Sequence, residues 1–310
     1  MRRDLSRRAF LERAACAGAL LALARPSAAA DGMYVSLNSS LTRQMPWPDF
    51  VRLAAKLGYG GVDVNLNQAK TEGVDATRAL FKELNIKPAV ANLGLQFATP
   101  DEAAFQDGLK LLDESAQFAA AIGLNRMMAV LSPASPVPKD ERRKFIKDRV
   151  SAVSAVLLPS KIRLGLEFLG PVYMRSNAKS PNTFIYTLPE TAALAEECGP
   201  NIGVVLDAWH WHHSGGSTAE IVAAGKSHIV HVHVSDAKPA PPDEVRDNQR
   251  HMPGEGMIDL VGFFQALKKI GYVDGVSPEP LGRVPADMPA EEGARLGLET
   301  TLAMMKKAGV

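Results

Sequence analysis

Histidine is missing from the first two thirds of this 310-residue chain; all seven lie between His210 and His251. Imidazole chemistry is therefore confined to the last third. Cysteine is almost absent too, with only Cys16 and Cys198, which excludes a disulfide-built scaffold and leaves stability to the core. Neither sign of charge is in excess: the formal net charge is +1, which offers no electrostatic footprint for nucleic acid. No apolar run reaches the ~20 residues that a membrane-crossing helix needs. No Gly/Ser linker or shift in composition marks a second domain. A glycine-rich phosphate turn is also missing after the first apolar segment, where Asn38-Ser39-Ser40-Leu41 stands instead. What is present is an ordinary globular mixture, 46% of it hydrophobic.

The first thirty residues read differently from the rest. Ser6-Arg7-Arg8-Ala9-Phe10-Leu11 sets a twin arginine before a short apolar run, Ala14–Ala24, which meets Pro26 and Ala28-Ala29-Ala30. A charged start, a short apolar stretch and an Ala-x-Ala end describe a cleavable export signal, and the paired arginines suggest the twin-arginine (Tat) route. Cys16 makes a poor lipoprotein site, with Arg13-Ala14-Ala15 before it and the apolar run after it. Residues 1–30 are thus expected to be an export signal and residues 31–310 a single catalytic domain, periplasmic or extracellular and without a membrane anchor after cleavage. Without the six arginines and two acids of the signal, 29 basic and 32 acidic residues remain, a formal charge of −3, and Cys198 has no partner in the chain. Replacing Arg7-Arg8 with Lys-Lys is expected to hold the precursor in the cytoplasm. Mature protein reaching the periplasm of a strain without the Tat translocase would refute the route.

Short apolar strands alternate with helices along the remainder. Strands are predicted at Tyr34–Asn38, Gly61–Asn65, Pro88–Leu93, Met127–Leu131, Arg163–Phe168, Ile202–Leu206, Ile229–Val234 and Val276–Glu279. Helices are predicted at Trp47–Leu57, Val74–Leu84, about Asp101–Ile122, Glu141–Leu158, Pro189–Glu197, Thr218–Ala224, Leu260–Ile270 and Ala290–Lys307. Eight such alternations in the 280 residues after the signal predict an α/β fold, a single (β/α)8 TIM barrel.

In such a barrel the chemistry gathers at the C-terminal ends of the strands. Four late strands end in potential ligands. Period-two alternation aligns Gly165 with Glu167, Gly203 with Val205 and Asp207, His231 with His233 and Ser235, and Gly275 with Ser277 and Glu279. Glu167, Asp207, His233 and Glu279 therefore point into one mouth. Three carboxylates and one imidazole there make an oxygen-rich site for a divalent ion, Mn²⁺ first, with Mg²⁺, Co²⁺ or Zn²⁺ as alternatives. Without a cation, three like charges at close range would force protonation.

Several of these segments also resemble a known family. D-A-W-H (Asp207–His210), H-V-H-V-S-D (His231–Asp236), P-G-E-G-M-I-D (Pro253–Asp259), A-L-K-K-I-G-Y-V-D-G (Ala266–Gly275) and S-P-E (Ser277–Glu279) are similar to the xylose-isomerase-like barrels, the sugar phosphate isomerase/epimerase group. The resemblance is strong from Arg163 to Leu281 and weaker from Tyr34 to Val130. It implies a divalent metal on Glu167, Asp207, His233 and Glu279, and a contact between His210 and a substrate oxygen. It also implies that Asp236 orients a ligand histidine. An arginine in the loop after the seventh strand contacts substrate in the ketose 3-epimerases. That loop is long and proline-rich here, and Lys238, Arg246 and Arg250 are all candidates. An endonuclease-IV-like nuclease shares the Asp-x-x-His pattern but needs histidines on early strands, and this chain has none there.

The chemistry can be stated independently. A metal holding a carbonyl and its neighbouring hydroxyl favours loss of the α-proton, and Glu167 and Glu279 could take it from one face and return one at the other. The expected activity is therefore a sugar isomerase or epimerase acting on a keto-sugar or related polyol. A leaving group beside the α-carbon would make the same site a lyase or dehydratase on a keto-sugar, inosose or 3-keto-glycoside. A catalytically inactive exported sugar-binding protein is the non-enzyme alternative. His251 and Glu255 flank or belong to the Pro253–Gly256 loop that could close over a small carbohydrate substrate, and Trp209 could wall one side. Asn38, Asn65 and Asn92 end early strands and could meet hydroxyls. His212 and His213 read as loop-lining residues and His228 as surface. A homo-oligomer is compatible with this composition.

Overall fold

The computed structural model describes residues 32–43 and 45–310; the expected export signal at residues 1–30 lies outside them. Eight parallel strands close into a barrel in chain order: β1 (Tyr34–Leu37), β2 (Gly61–Val64), β3 (Lys87–Asn92), β4 (Arg126–Leu131), β5 (Arg163–Phe168), β6 (Ile202–Asp207), β7 (Ile229–Val234) and β8 (Gly275–Pro278). The connecting helices are α1 (Trp47–Leu57), α2 (Leu66–Glu72), α3 (Val74–Leu84), α4 (Glu102–Ala121), α5 (Lys139–Leu157), α6 (Leu188–Cys198), α7 (Ala208–His213), α8 (Thr218–His228), α9 (Leu260–Lys269) and α10 (Ala290–Ala308). This is the TIM barrel that the strand–helix alternation predicts.

The outward faces of the strands explain the stability of the ring. Leu164, Leu166, Phe168, Val204, Leu206, Val232 and Val234 are fully buried beneath the helices, each contributing about 1.5–3 kcal/mol of transfer free energy. Inside the barrel, Val90, Met128 and Val205 form a separate small apolar cluster. They precede the last inward residues of their strands, so the polar mouth rests on an apolar floor.

The register slips at two places, between β2 and β3 at Val62–Val64 and between β6 and β7, and the second shapes the barrel interior. A register irregularity between β6 and β7 brings Val230 to Gly165 and Gly203 instead of leaving it opposite His231. A Cβ on Gly165 would lie 2.7 Å from the Val205 side chain and 3.1 Å from Val230; one on Gly203 would lie 2.4 Å from the His228 carbonyl. Glycine at both positions is thus a requirement of close approach.

Other differences from the sequence reading are short elements. Asn65 does not end a strand in the mouth; its side chain accepts from Gln68 N at 3.2 Å and caps α2. Ala208–His213 forms a helical turn, although Trp and His are mediocre helix formers. The Asp207 carboxylate caps it, accepting from Trp209 N at 2.8 Å. Ala134–Ser135 and Asn182–Thr183 pair antiparallel between the loops after β4 and β5, a pairing of two-residue segments too short to show a period. The helix after β6 extends to His228, past a break at Gly225.

Candidate active site

The four strand-end residues converge. One donor atom from each of Glu167, Asp207, His233 and Glu279 lies within 4.8 Å of every other. His233 presents Nδ1 to Glu167 Oε1 at 3.0 Å and to Glu279 Oε2 at 3.5 Å. Ligand bonds of about 2.0–2.2 Å place neighbouring donors roughly 3.0–3.5 Å apart. The spacing and the donor chemistry both fit a divalent cation.

The electrostatics are those of a crowded buried cluster. Burial alone would raise the Asp207 carboxyl, but Arg250, then His210 and His233, hold it down at about 2. Burial opposes charge on His233, yet Glu279, Glu167 and Asp207 raise it to about 10. Glu279 is pushed up to about 7 by burial, with His233 and Arg250 opposing and Glu167 and Asp207 adding to the rise. Burial brings His210 down to about 4, so its imidazole is neutral near pH 7. Its Nδ1 faces the Gly170 N–H at 3.4 Å and its Nε2 faces Arg250 Nη2 at 3.1 Å. Gly170 has no room for a side chain, since a Cβ there would lie 2.0 Å from the His210 carbonyl.

Among the three cationic candidates of the long loop, only Arg250 enters the cluster. It is 2% exposed, with Nη1 2.7 Å from Asp207 Oδ2 and 3.2 Å from Glu279 Oε2. Arg246 instead donates to the Asp243 and Val245 carbonyls and lies over the Tyr173 ring. Arg246, Lys238, His213, His251 and Trp209 line a separate cavity of ≈220 Å³. The indole of Trp209 is buried, beneath Arg250 Cζ at 4.8 Å and edge-on to His213 at 4.4 Å. It backs the arginine as well as lining that cavity.

Two acids do other work than the one expected of them. Asp236 orients no histidine. Its Oδ1 accepts from Ala237 N and Ile258 N, and its Oδ2 from Gly254 N and Gly256 N, at 2.8–3.0 Å. All its acceptor capacity toward the loop is spent on backbone amides, which leaves none for substrate. Asp236→Ala is expected to strand four backbone donors, two of them buried, and cost about 3 kcal/mol, read as a lowered urea midpoint. Glu255 likewise turns away from the mouth, paired with Arg283 at 2.9 and 3.0 Å. His251 sits 3.8 Å from Glu255, and its backbone pairs with that of Asp236.

Asp63 is a site residue that strand alternation alone does not single out. It lies on β2 between valines, and its carboxylate accepts from Ser36 Oγ at 2.8 Å, Asn38 Nδ2 at 2.9 Å and Ser277 Oγ at 2.7 Å. Asn38 is therefore committed to Asp63, not free for a hydroxyl. Burial raises the Asp63 pKa against His233 and these three donors. Asp63, His231 and His233 form a second group of donors within 4.8 Å of one another, joined through Ser277 Oγ, 2.9 Å from His231 Nε2. The signal was an acid in V-D-V-N, inside a strand otherwise apolar. The remaining histidines lie apart: His212 and His213 on α7, partly buried, and His228 at the surface beside Glu196.

Residues 51–306 match the family described as the xylose isomerase-like TIM barrel. The chain belongs to that family. An inosose isomerase of Halalkalibacterium halodurans is 25% identical over 277 residues, 87% of this chain and 93% of the relative. An L-ribulose-5-phosphate 3-epimerase of Salmonella paratyphi A is 26% identical over 85% of this chain and 92% of its own length. Among solved structures, a xylose isomerase domain protein from Alicyclobacillus acidocaldarius superposes with TM-score 0.81 at 28% identity, covering 90% of this chain and all of its own. The IOLI protein, solved with a binding zinc atom, shares the fold with TM-score 0.76 at 24% identity over 89% of this chain and 99% of its own.

Proposed function

We propose that this xylose isomerase-like barrel is an isomerase or epimerase of a keto-sugar or cyclic polyol ketone, dependent on a divalent metal. The observation that carries the reading is the pair Glu167 and Glu279 flanking His233, with Asp207 completing the donor set. The isomerase and epimerase relatives support it, and the zinc bound by the IOLI protein supports a divalent ion of that size; Mn²⁺ remains our first choice from the three oxygen donors. A bound ion would polarise the substrate carbonyl and acidify the adjacent C–H.

The protein's own groups supply the rest. Glu279 lies at the edge of the donor set and is placed to exchange a proton with a substrate held there. Glu167 arrives from a different part of the ring, three strands away, and can serve the other face of the α-carbon. Neutral His210 can pair with a substrate oxygen only by giving up its contact with Arg250. Val130, half exposed and opposite Glu167 in the β4–β5 register, offers an apolar side to a sugar ring. Export through the Tat route, as argued from residues 1–30, is a separate proposal.

The test is turnover of keto-sugars, inososes and 3-keto-glycosides with Mn²⁺ in D₂O, followed by NMR. Deuterium entering the α-position with the skeleton retained supports an isomerase or epimerase. Loss of water or of an aglycone would make the enzyme a lyase, and an α-hydrogen transferred intact would remove both glutamates from the acid–base role.

A further inference from the structure

We propose that Arg250 is a resident cation of the proposed metal centre, which lowers its affinity for the divalent ion and keeps the ion exchangeable. The inference rests on the reading of Glu167, Asp207, His233 and Glu279 as a metal site. It assigns to Arg250 a role other than clamping substrate.

The hydrogen bonds of the guanidinium tie it to the donor set. Nε and Nη2 both donate to Asp247 Oδ1, at 2.9 and 2.7 Å. Nη1 donates to Asp207 and Glu279, and the second proton of Nη2 faces His210 Nε2 at 3.1 Å. Arginine has five N–H donors; four meet carboxylate oxygens of Asp247, Asp207 and Glu279, and the fifth faces the His210 ring. The side chain is also held in place. Its Cζ lies over the Trp209 ring, 4.8 Å from the ring centre, its backbone N–H bonds the Leu281 carbonyl at 3.1 Å, and Asp247 N donates to Tyr173 Oη at 3.0 Å. The segment that follows is tied down by Asp236. Arg250 is thus fixed against two carboxylates of the donor set, within hydrogen-bond distance of each.

The charges set the sign of the effect. Glu167, Asp207 and Glu279 bring three carboxylates to the centre, and a permanent positive charge beside two of them offsets part of their attraction for a second cation. Asp247 lies on the far side of the guanidinium and compensates it in turn. Removing the arginine charge should tighten ion binding, whereas neutralising Asp247 should weaken it. A guanidinium that merely held the ligands in place would give the opposite result for the arginine.

Mn²⁺ affinity of the purified protein, measured by competition with a fluorescent chelator, tests this without any substrate. Arg250→Met is expected to bind Mn²⁺ at least tenfold tighter, to melt at lower temperature after chelator treatment, and to show a larger melting shift on adding Mn²⁺. Arg250→Lys keeps the charge and is expected to stay within about threefold of wild type. Asp247→Asn, at a partly exposed position that should fold even where Arg250→Met does not, is expected to bind several-fold more weakly. Equal or weaker binding by Arg250→Met overturns the proposal, as does unchanged or tighter binding by Asp247→Asn. A wild-type protein that binds Mn²⁺ normally while these variants fail the pattern sinks this inference alone. A wild-type protein that binds no divalent ion overturns it together with the functional reading.

Discussion

Glu279→Gln and Glu167→Gln are each expected to lower kcat by about 10²–10⁴-fold, the range for losing a positioned acid or base. Both glutamates are also donors to the cluster, so the loss has two possible sources and the experiment must separate them. Gln keeps the size and one oxygen but cannot exchange a proton. At saturating Mn²⁺, where occupancy is restored and checked by elemental analysis, the deficit should persist. A variant that regains wild-type turnover at high Mn²⁺ would show that its glutamate only binds the ion. The pH profile carries a second signature. Burial, together with Glu167 and Asp207, raises Glu279 to about 7, so the metal-depleted protein should titrate a carboxyl near neutrality that Glu279→Gln lacks. The sign is fixed: a raised carboxyl favours the folded state fully below its usual value near 4.5, and that contribution fades as pH rises through about 7.

Asp207→Asn and His233→Ala are expected to abolish stoichiometric binding of a divalent ion, an effect of about 10²-fold or more in affinity. His228→Ala, at a surface ring paired with Glu196, should leave binding intact. Stoichiometric metal in both Asp207→Asn and His233→Ala would remove the site. Binding should also expel a proton. His233 holds its proton up to about 10 because Glu279, Glu167 and Asp207 surround it, while ligation needs the lone pair of Nδ1. Apparent affinity should therefore rise with pH, by about tenfold per unit between 6.5 and 10 where only this proton is displaced. Calorimetry in buffers of different ionisation enthalpy would read that proton directly. The same shift stabilises the metal-free fold fully below pH 6.5 and is lost as pH climbs through about 10.

The barrel and the four converging donors were legible without coordinates for a local reason. A strand in a closed parallel barrel is bounded by its own apolar run, and alternation decides which side chains look inward. L-G-L-E-F, I-G-V-V-L-D, H-V-H-V and G-V-S-P-E therefore carry their geometry in themselves, and a barrel has only one end at which Glu167, Asp207, His233 and Glu279 can meet. Local reasoning failed where position depends on atoms distant in sequence. Val230 leaves the alternation because β7 slips against β6. Lys238, Arg246 and Arg250 occupy one loop, and only its path selects Arg250; Asp236 grips Gly254 and Gly256 while Tyr173, on another loop, holds Asp247. Asp236 stands beside a ligand strand, yet it anchors backbone, because four amide donors reach it before any imidazole does. V-D-V-N marks Asp63 only as an acid in an apolar strand. Its partners come from the two ends of the chain, since ring closure sets β8 beside β1 and so surrounds the carboxylate with Ser36, Asn38 and Ser277. A strand's inward face is a property of its sequence, whereas the partner a charged side chain finds is decided by which elements the closed ring brings within hydrogen-bond reach.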